Sequence, residues 1–221
     1  MAKHHPINFA VIGLGNFGST VATELKRFGN YVIGIDIDEE RVSAHAEELD
    51  QALIVDARSE AALKDAGVSE CDVAVVSLGD DLEASVLATM NLKLIGVDKI
   101  WAKAMSKTHH RILNKLGADQ VVHPEEKVGQ QVAQVLHNPM VRDYVSLGNT
   151  FNVVNMRVSD ALNGKSLNDL NVDQFDLRVL GVMRGTEFIG RGGDTCGLQE
   201  DDILLMLGRR KDLRSFTESL E

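Results

Sequence analysis

Short apolar runs alternate with amphipathic segments through the first half of the chain. Six of these runs lack the polar alternation of half-exposed strands, so they predict buried parallel strands. They are Phe9–Ile12, Tyr31–Ile35, Ala52–Val55, Val73–Ser77, Lys99–Lys103 and Gln120–His123. The intervening segments have helical spacing, as in Leu82–Leu94. This alternation predicts an α/β domain with a doubly wound, Rossmann-like parallel sheet in the order 3-2-1-4-5-6.

The pattern changes at Pro124. Glu125–Leu136 has the spacing of a connector helix, and the segments Thr150–Val158 and Leu177–Arg184 then alternate apolar and polar residues. Shorter strands over 187–189 and 203–207, with a closing helix over 212–220, complete the pattern of a small α+β module. We therefore predict an α/β domain over 1–124, a connector helix over 125–139 and a C-terminal domain over 140–221.

A glycine-rich loop, Gly13-Leu14-Gly15-Asn16-Phe17-Gly18, follows the first strand and opens the first helix. In this context the first glycine permits a tight turn, and the second lets backbone approach a pyrophosphate. The third lets the helix pack closely on the strand, and the start of the helix presents free N–H groups to phosphate. We therefore predict nucleotide binding by Gly13, Gly15, Asn16, Phe17 and Gly18.

Residues at the ends of the second and third strands extend this prediction. Asp36, followed by Ile37, stands where a carboxylate accepts hydrogen bonds from a ribose and repels a 2′-phosphate, which disfavours NADP. Its alternative role is the cap of the next helix. Asp56 and Ala57 stand where the fold places the adenine edge, and Asp56 could equally cap the helix that starts near Ser59.

The later strands supply further candidates. Ser77, Leu78 and Gly79 follow the fourth strand beside the switch point of the sheet, where Gly79 could be only a turn glycine. Lys103, followed by Ala104, ends the fifth strand in a buried position, so its ammonium needs a phosphate or a carboxylate partner. His109 follows one loop later, either within reach of the ligand or on the helix surface.

Composition excludes several classes of protein. A formal net charge of −10 argues against a nucleic-acid partner, and no apolar run approaches the roughly 20 residues of a membrane span. The first residues lack the apolar segment of a signal peptide. Cys71 and Cys196 have no metal-type spacing and predict reduced thiols in a cytosolic protein.

The C-terminal module offers little for catalysis. It has no histidine from residue 140 onward, and the trio Glu200–Asp202 has the composition of a solvated turn. A binding or regulatory role is therefore favoured over an enzyme. The alternative is a small NAD-dependent oxidoreductase, for which Lys103 is the candidate acid or base; a redox-sensing repressor would need a basic DNA-binding element.

Several segments together resemble the RCK proteins, which regulate potassium channels and transporters. They are the opening segment Phe9–Ser19, Gly34–Asp36, Asp56-Ala57, Trp101–Ala104 and Gly117–Glu125. The resemblance covers nearly the whole chain, as an RCK N-terminal (TrkA-N-like) and an RCK C-terminal (TrkA-C-like) domain. It implies a cytoplasmic regulator without enzymatic turnover. Such regulators form homo-oligomers, usually octameric rings built from dimers, at the cytoplasmic face of the inner membrane, docked on a membrane potassium-translocating pore subunit.

The resemblance also implies ligands. ATP would activate and ADP inactivate the transporter, and NAD or NADH can occupy the same site. Glu125 would help to hold Mg²⁺ or Ca²⁺ with the phosphates, although it could equally be a favourable helix-start carboxylate. The turn Asn163–Leu167 resembles one that can bind cyclic di-AMP, but a simple connection explains it better. Relatives often carry arginine where this chain has Asn16, so ATP sensing through that contact is in question.

Overall fold

The computed structural model describes residues 6–138, 140–190 and 197–220. These residues form two compact units that divide after Glu125. The predictions made for the first five residues and for Cys196 lie outside the described residues. Cys71 is buried, and burial raises the pKa of its thiol to about 11, so the thiol stays protonated and unreactive at neutral pH.

The first unit is built on a six-stranded parallel sheet. Its strands are β1 (Asn8–Ile12), β2 (Tyr31–Asp36), β3 (Gln51–Ile54), β4 (Val73–Val76), β5 (Lys99–Lys103) and β6 (Gln120–Val122). The order is β3-β2-β1-β4-β5-β6, which confirms the predicted doubly wound topology. The order in which successive strands are added to the sheet therefore reverses between β1 and β4, and a crevice opens there at the carboxyl ends of the strands.

Five helices connect these strands. They are α1 (Asn16–Arg27), α2 (Glu39–His45), α3 (Glu60–Asp65), α4 (Leu82–Leu94) and α5 (Lys107–Leu116). The side chains that cap α2 to α5 belong to Asp38, Ser59, Asp81 and Ser106, each accepting a backbone N–H of the first turn. Neither Asp36 nor Asp56 is among these caps, so the structural alternative for both residues is wrong.

Apolar side chains cover both faces of this sheet. Along β1, Ala10 and Ile12 belong to one buried cluster and Val11 to another. The first cluster includes side chains of α3, α4 and α5, and the second includes Ala22 of α1 and Val42 of α2. Because both faces are packed, the central strands β1, β2 and β4 are apolar along most of their length, which explains their continuous runs in the sequence.

The second unit starts inside the connector helix α6 (Pro124–His137) and contains a five-stranded antiparallel sheet in the order β10-β9-β11-β8-β7. Its elements are β7 (Val141–Gly148), β8 (Phe151–Arg157), β9 (Arg178–Arg184), β10 (Glu187–Gly190), β11 (Ile203–Arg209) and α7 (Arg210–Glu218). Side chains of α7 complete the core, where the ring of Phe216 meets Phe175 edge-on at 5.5 Å.

The sequence predicted a helix after Asp36 without its bounds, and it did not predict strand β7. Helix α2 has the polar sequence Glu-Glu-Arg-Val-Ser-Ala-His, in which Val42 is the buried residue, so its apolar period is too short to detect. Strand β7 is mostly exposed or half-buried, and its register with β8 shifts twice. The shifts interrupt the alternation that would have revealed this strand.

The predicted solvated turn at Glu200–Asp202 is wrong for its last residue. Asp202 is buried and accepts hydrogen bonds from Arg184 Nε at 2.9 Å and from Arg184 Nη2 at 2.8 Å. The N–H of Gln199 donates a third bond at 2.9 Å. The pairing with Arg184 holds the pKa of Asp202 below its usual value. This carboxylate therefore anchors the turn before β11.

The segment Asn163–Leu167 lies between two short 3₁₀ helices. The N–H of Gly164 donates to the carbonyl of Leu198 at 2.7 Å, and the N–H of Leu198 donates to the carbonyl of Lys165 at 2.8 Å. These two hydrogen bonds hold the segment against Leu198, so it has a structural role as a connection between the two 3₁₀ helices.

Candidate functional site

A cavity of about 710 Å³ opens in the first unit at the carboxyl ends of its strands. It is lined by residues that end or follow all six strands of the sheet, as the doubly wound topology requires of a ligand site. Most residues predicted for nucleotide binding line it: Gly13, Gly15, Asn16, Phe17, Asp36, Ile37, Asp56, Ala57, Ser77, Leu78 and Lys103, together with Glu125.

The glycine loop has the geometry that its sequence predicts. Gly13 has φ +94°, and a Cβ on it would lie 2.9 Å from the carbonyl oxygen of Ser77. A Cβ on Gly18 would lie 1.8 Å from the carbonyl oxygen of Gly13. At Gly15, in contrast, the nearest atom to a Cβ would be 3.9 Å away, so this part of the loop is open to the cavity.

Helix α1 begins directly after Gly15 without a side-chain cap and without an acidic residue in its first turn. The N–H groups of its first turn therefore donate to no capping side chain. They carry the partial positive charge of a helix N-terminus. An anionic group of a ligand is suited to this position.

Asp36 joins the glycine loop to the end of β2. Its carboxylate is buried, and Oδ2 accepts the N–H of Leu14 at 2.7 Å. Oδ1 accepts the N–H of Asp38 at 3.0 Å. Asp36 thus fixes the loop, and it also lines the cavity where a ribose would be recognised.

Asp56 holds Arg58 in a fixed orientation at the end of β3. Arg58 Nε donates to Oδ1 of Asp56 at 2.9 Å, and Nη2 donates to Oδ2 at 2.8 Å. These bonds lower the pKa of Asp56. The buried amide of Asn91 on α4 donates to the carbonyls of Ala57 and Arg58 at 3.1 and 2.9 Å, which fixes the backbone of this corner.

Lys103 and Glu125 form an ion pair in the cavity wall, with Nζ 2.5 Å from Oε1. The Lys103 side chain is 10% exposed, so the structure supplies the partner that its burial requires. The hydrogen bond from Lys103 lowers the pKa of Glu125. Both sequence alternatives remain compatible here, because phosphate could share or replace this carboxylate as the partner of the ammonium.

Four predicted residues do not line the cavity. Gly18 packs against the loop, and a Cβ on Gly79 would lie 3.1 Å from Met105. Ala104 is buried. His109 is buried too, so its placement on a helix surface is wrong: its ring contacts Ser85 Oγ at 3.1 Å and accepts the N–H of Met105 at 3.4 Å. Burial lowers the pKa of His109, which keeps the ring neutral.

Four charged lining residues were missed by the sequence analysis. Arg41, Arg58, Asp80 and Asp81 all line the cavity. Arg41 lies on α2, a helix that was expected after Asp36 but whose residues were not identified from the sequence. Arg58 stands two residues beyond Asp56, and this short spacing was the sequence signal that could have placed Arg58 beside the cavity. The lining then holds three cations and five carboxylates, so its own charge is negative.

The metal prediction has limited support from the geometry. Within residues 6–138, 140–190 and 197–220, no three His, Cys, Asp or Glu side chains are grouped to hold a metal ion. Glu125 is engaged by Lys103. A divalent cation here would need the oxygens of a bound ligand in addition to those of the protein.

Comparison with known proteins matches two domain families to the chain. Residues 9–124 match the TrkA-N domain family, and residues 154–221 match the TrkA-C domain family. The chain is 34% identical to Ktr system potassium uptake protein A of Bacillus subtilis over 209 residues, which are 94% of each chain. It is 33% identical to the protein of the same name from Vibrio alginolyticus, covering 96% of this chain and 97% of that one.

Solved structures show the same fold. The GsuK channel superposes with a TM-score of 0.66 at 13% identity, over 97% of this chain and 39% of the channel. The GsuK channel bound to NAD gives a TM-score of 0.65 at 14% identity, over 100% of this chain and 40% of that one. No helix among the described residues is long and apolar enough to cross a membrane.

Proposed function

Since the chain belongs to the family of TrkA-N and TrkA-C domain proteins that includes the Ktr potassium uptake proteins, we propose that it is a regulatory subunit of a potassium uptake system. A nucleotide that binds in the cavity of the first unit is the regulatory signal. The resemblance to RCK proteins inferred from the sequence is thereby confirmed, and the function follows from it.

The observation that carries this proposal is the arrangement of the glycine loop, Asp36 and the capless start of α1 around one cavity. The loop and helix suit a pyrophosphate, and the carboxylate suits a ribose hydroxyl. The volume of about 710 Å³ is within the range of small-molecule sites. A nucleotide combines these groups in one molecule.

ATP and ADP are the proposed physiological ligands, and NAD or NADH can bind in the same place. The GsuK structures include one bound to NAD and one bound to ADP. Because five carboxylates face three cations in the lining, a polyphosphate is expected to bind together with Mg²⁺ or Ca²⁺, to which Glu125 would contribute an oxygen.

The proposed partner is a membrane potassium-translocating pore subunit. The chain would act as an octameric homo-oligomeric ring on the cytoplasmic face of the inner membrane. The RCK resemblance implies the ring, and the relatives named as parts of Ktr uptake systems support a potassium transporter as the partner. Ion selectivity would belong to the pore subunit, and the ring would set its activity.

We also propose that the protein performs no turnover. Lys103 is the candidate proton donor of an oxidoreductase, and its ammonium is tied to Glu125 rather than held as a free acid or base.

The test is a binding panel on the whole chain by isothermal titration calorimetry. The ligands are ATP, ADP, NADH, NADPH and 2′-deoxy-ADP, each with and without Mg²⁺. We expect binding of ATP and ADP, stronger ATP binding with Mg²⁺, and an approximately tenfold loss for 2′-deoxy-ADP, because a buried carboxylate loses its hydroxyl partner. Failure of every adenine nucleotide to bind would refute the proposal.

A second measurement separates regulator from enzyme. The protein mixed with NADH and candidate carbonyl substrates should leave the nicotinamide absorbance unchanged. In vesicles that hold the pore subunit, potassium flux should differ between ATP and ADP, and equal flux would contradict the gating role.

A further inference from the structure

A cation stands beside the glycine loop, although the loop sequence does not provide one. Asn16 is neutral, whereas Arg41 on α2 brings its Nη1 within 3.9 Å of the point where a Cβ on Gly15 would lie. Arg41 also lines the cavity. The two residues approach each other because β2 and α2 pack beside β1 and α1 in the doubly wound sheet.

Gly15 marks the position where phosphate comes closest to the backbone. The second glycine of such a loop lets a pyrophosphate approach, and here the space above it is open. The first turn of α1 offers N–H groups at the same place. A phosphate seated there would therefore lie within reach of the long arginine side chain.

The contacts between Arg41 and its neighbouring carboxylates are long. Nη1 lies 3.5 Å from Asp36 Oδ2, and Nε lies 3.7 Å from Asp38 Oδ2. Both distances exceed those of good charge-assisted hydrogen bonds. The side chain is 54% exposed, and Asp36 already accepts two backbone N–H groups. Arg41 can therefore change partner at little cost.

We infer that Arg41 binds the phosphates of the ligand and supplies the positive charge that Asn16 does not. The inference rests on the proposed nucleotide site. It adds one binding residue to that site and a preference for ligands that carry phosphate. A guanidinium fork pairs with two phosphate oxygens, so the contribution grows with the charge of the ligand. Adenosine, which has no phosphate, gains nothing from Arg41.

The experiment compares four proteins, the wild type, Arg41→Gln, Arg41→Lys and the control Arg27→Gln, in titrations with ADP and with adenosine. Arg27 is an exposed arginine of α1 that does not line the cavity. Its replacement by glutamine removes one positive charge, as Arg41→Gln does, but leaves the cavity unchanged. We expect Arg41→Gln to weaken ADP binding about tenfold and adenosine binding less than about twofold. The ADP affinity of Arg41→Lys should lie between those of the wild type and Arg41→Gln, and that of Arg27→Gln should match the wild type.

The contrary outcomes are distinct. If Arg41→Gln weakens ADP and adenosine equally, the residue acts through Asp36 and the ribose, and the inference is wrong. If a parallel titration with NADPH shows that Arg41→Gln weakens NADPH binding but not ADP binding, the contact is to a 2′-phosphate, which also overturns the inference. A wild type that binds ADP as tightly as Arg41→Gln removes the inference but leaves the proposed function. A wild type that binds no nucleotide removes both.

Discussion

Gly18 contributes to the site because it has no side chain. Its backbone lies so close to the glycine loop that a Cβ would be 1.8 Å from the carbonyl oxygen of Gly13. Gly15, three residues earlier, faces the open cavity and has the ordinary φ of −68°. The two glycines therefore differ in their surroundings: Gly18 is required by close packing, whereas the space at Gly15 is open, as the proposed approach of a ligand requires.

Replacing each glycine by alanine separates these reasons. We expect Gly18→Ala to lower the free energy of unfolding of the first unit by about 3 kcal/mol or more, because backbone must move to admit the methyl group. Gly15→Ala should cost less than about 1 kcal/mol, since no atom lies within 3.9 Å of its Cβ. Urea unfolding followed by circular dichroism measures both.

Nucleotide titration completes this comparison. Gly15→Ala, though folded, should bind ADP more weakly because its methyl group occupies the approach of the phosphates. A Gly18→Ala protein as stable as the wild type would show that α1 and the loop are less tightly packed than the structure indicates.

Single residues also show where the sequence was sufficient. The positions of Gly13, Gly15 and Asp36 in the cavity lining were predictable because they depend on local motif and spacing. Arg41 was not, because an arginine in a short polar helix resembles any solvated charge until the fold brings it to Gly15. Asp202 was misjudged for the same reason, since burial of a turn carboxylate depends on Arg184, which lies on another strand.

At the scale of elements, β11 depends on the pair formed by Arg184 and Asp202. Arg184 ends β9, and Asp202 stands directly before β11, so their two hydrogen bonds clamp neighbouring antiparallel strands. The Asp202 side chain is 1% exposed and that of Arg184 is 33% exposed. Loss of the carboxylate therefore leaves a guanidinium that can only partly regain water.

We expect Asp202→Asn to lower the free energy of unfolding of the second unit by about 2–3 kcal/mol at pH 7. The folded pKa of Asp202 lies below its unfolded value, so the pair contributes fully at neutral pH. Its contribution is lost as the pH falls below about 4, through the unfolded and then the folded pKa. Denaturant unfolding at a series of pH values should show wild type and variant converging in acid.

The control for this prediction is Asp173→Asn. Asp173 pairs with Arg178 in the same unit, but its side chain is 91% exposed, so the change should cost less than about 0.5 kcal/mol. A gap between wild type and Asp202→Asn that stays constant down to low pH would contradict the assigned role of the carboxylate.

Elements with a strong apolar pattern were predictable, and the others were not. The central parallel strands β1, β2 and β4 lie between packed helices and are apolar on both faces, so their sequences identify them. Strand β7 is mostly exposed or half-buried and irregular in register, and α2 is almost wholly polar. Both are held in place by tertiary contacts, which no local sequence pattern records.

At the scale of the whole molecule, the apolar clusters of the two units are separate. Two clusters cover the two faces of the parallel sheet, and a third packs on the antiparallel sheet. The residues that line the cavity all belong to the first unit. A bound nucleotide therefore contributes its binding energy to that unit first.

Hydrogen exchange followed by mass spectrometry can measure this. At an ADP concentration one hundred times its Kd, we expect the first unit to gain about 2.7 kcal/mol of stability, seen as slower exchange in β1 and β4. Amides of β8 and β11 should change little. An equal gain in both sheets would show that the two units unfold as one.

The cavity also has a consequence for the rate at which the protein loses its structure. Its lining runs from Ile12 to Glu125 and draws on every strand of the parallel sheet, so it is complete only when those strands have paired. A partly ordered chain on its way to the native state has no finished site to occupy. Nucleotide should therefore leave the folding rate unchanged and slow unfolding, so that in the cell it lengthens the lifetime of the folded unit.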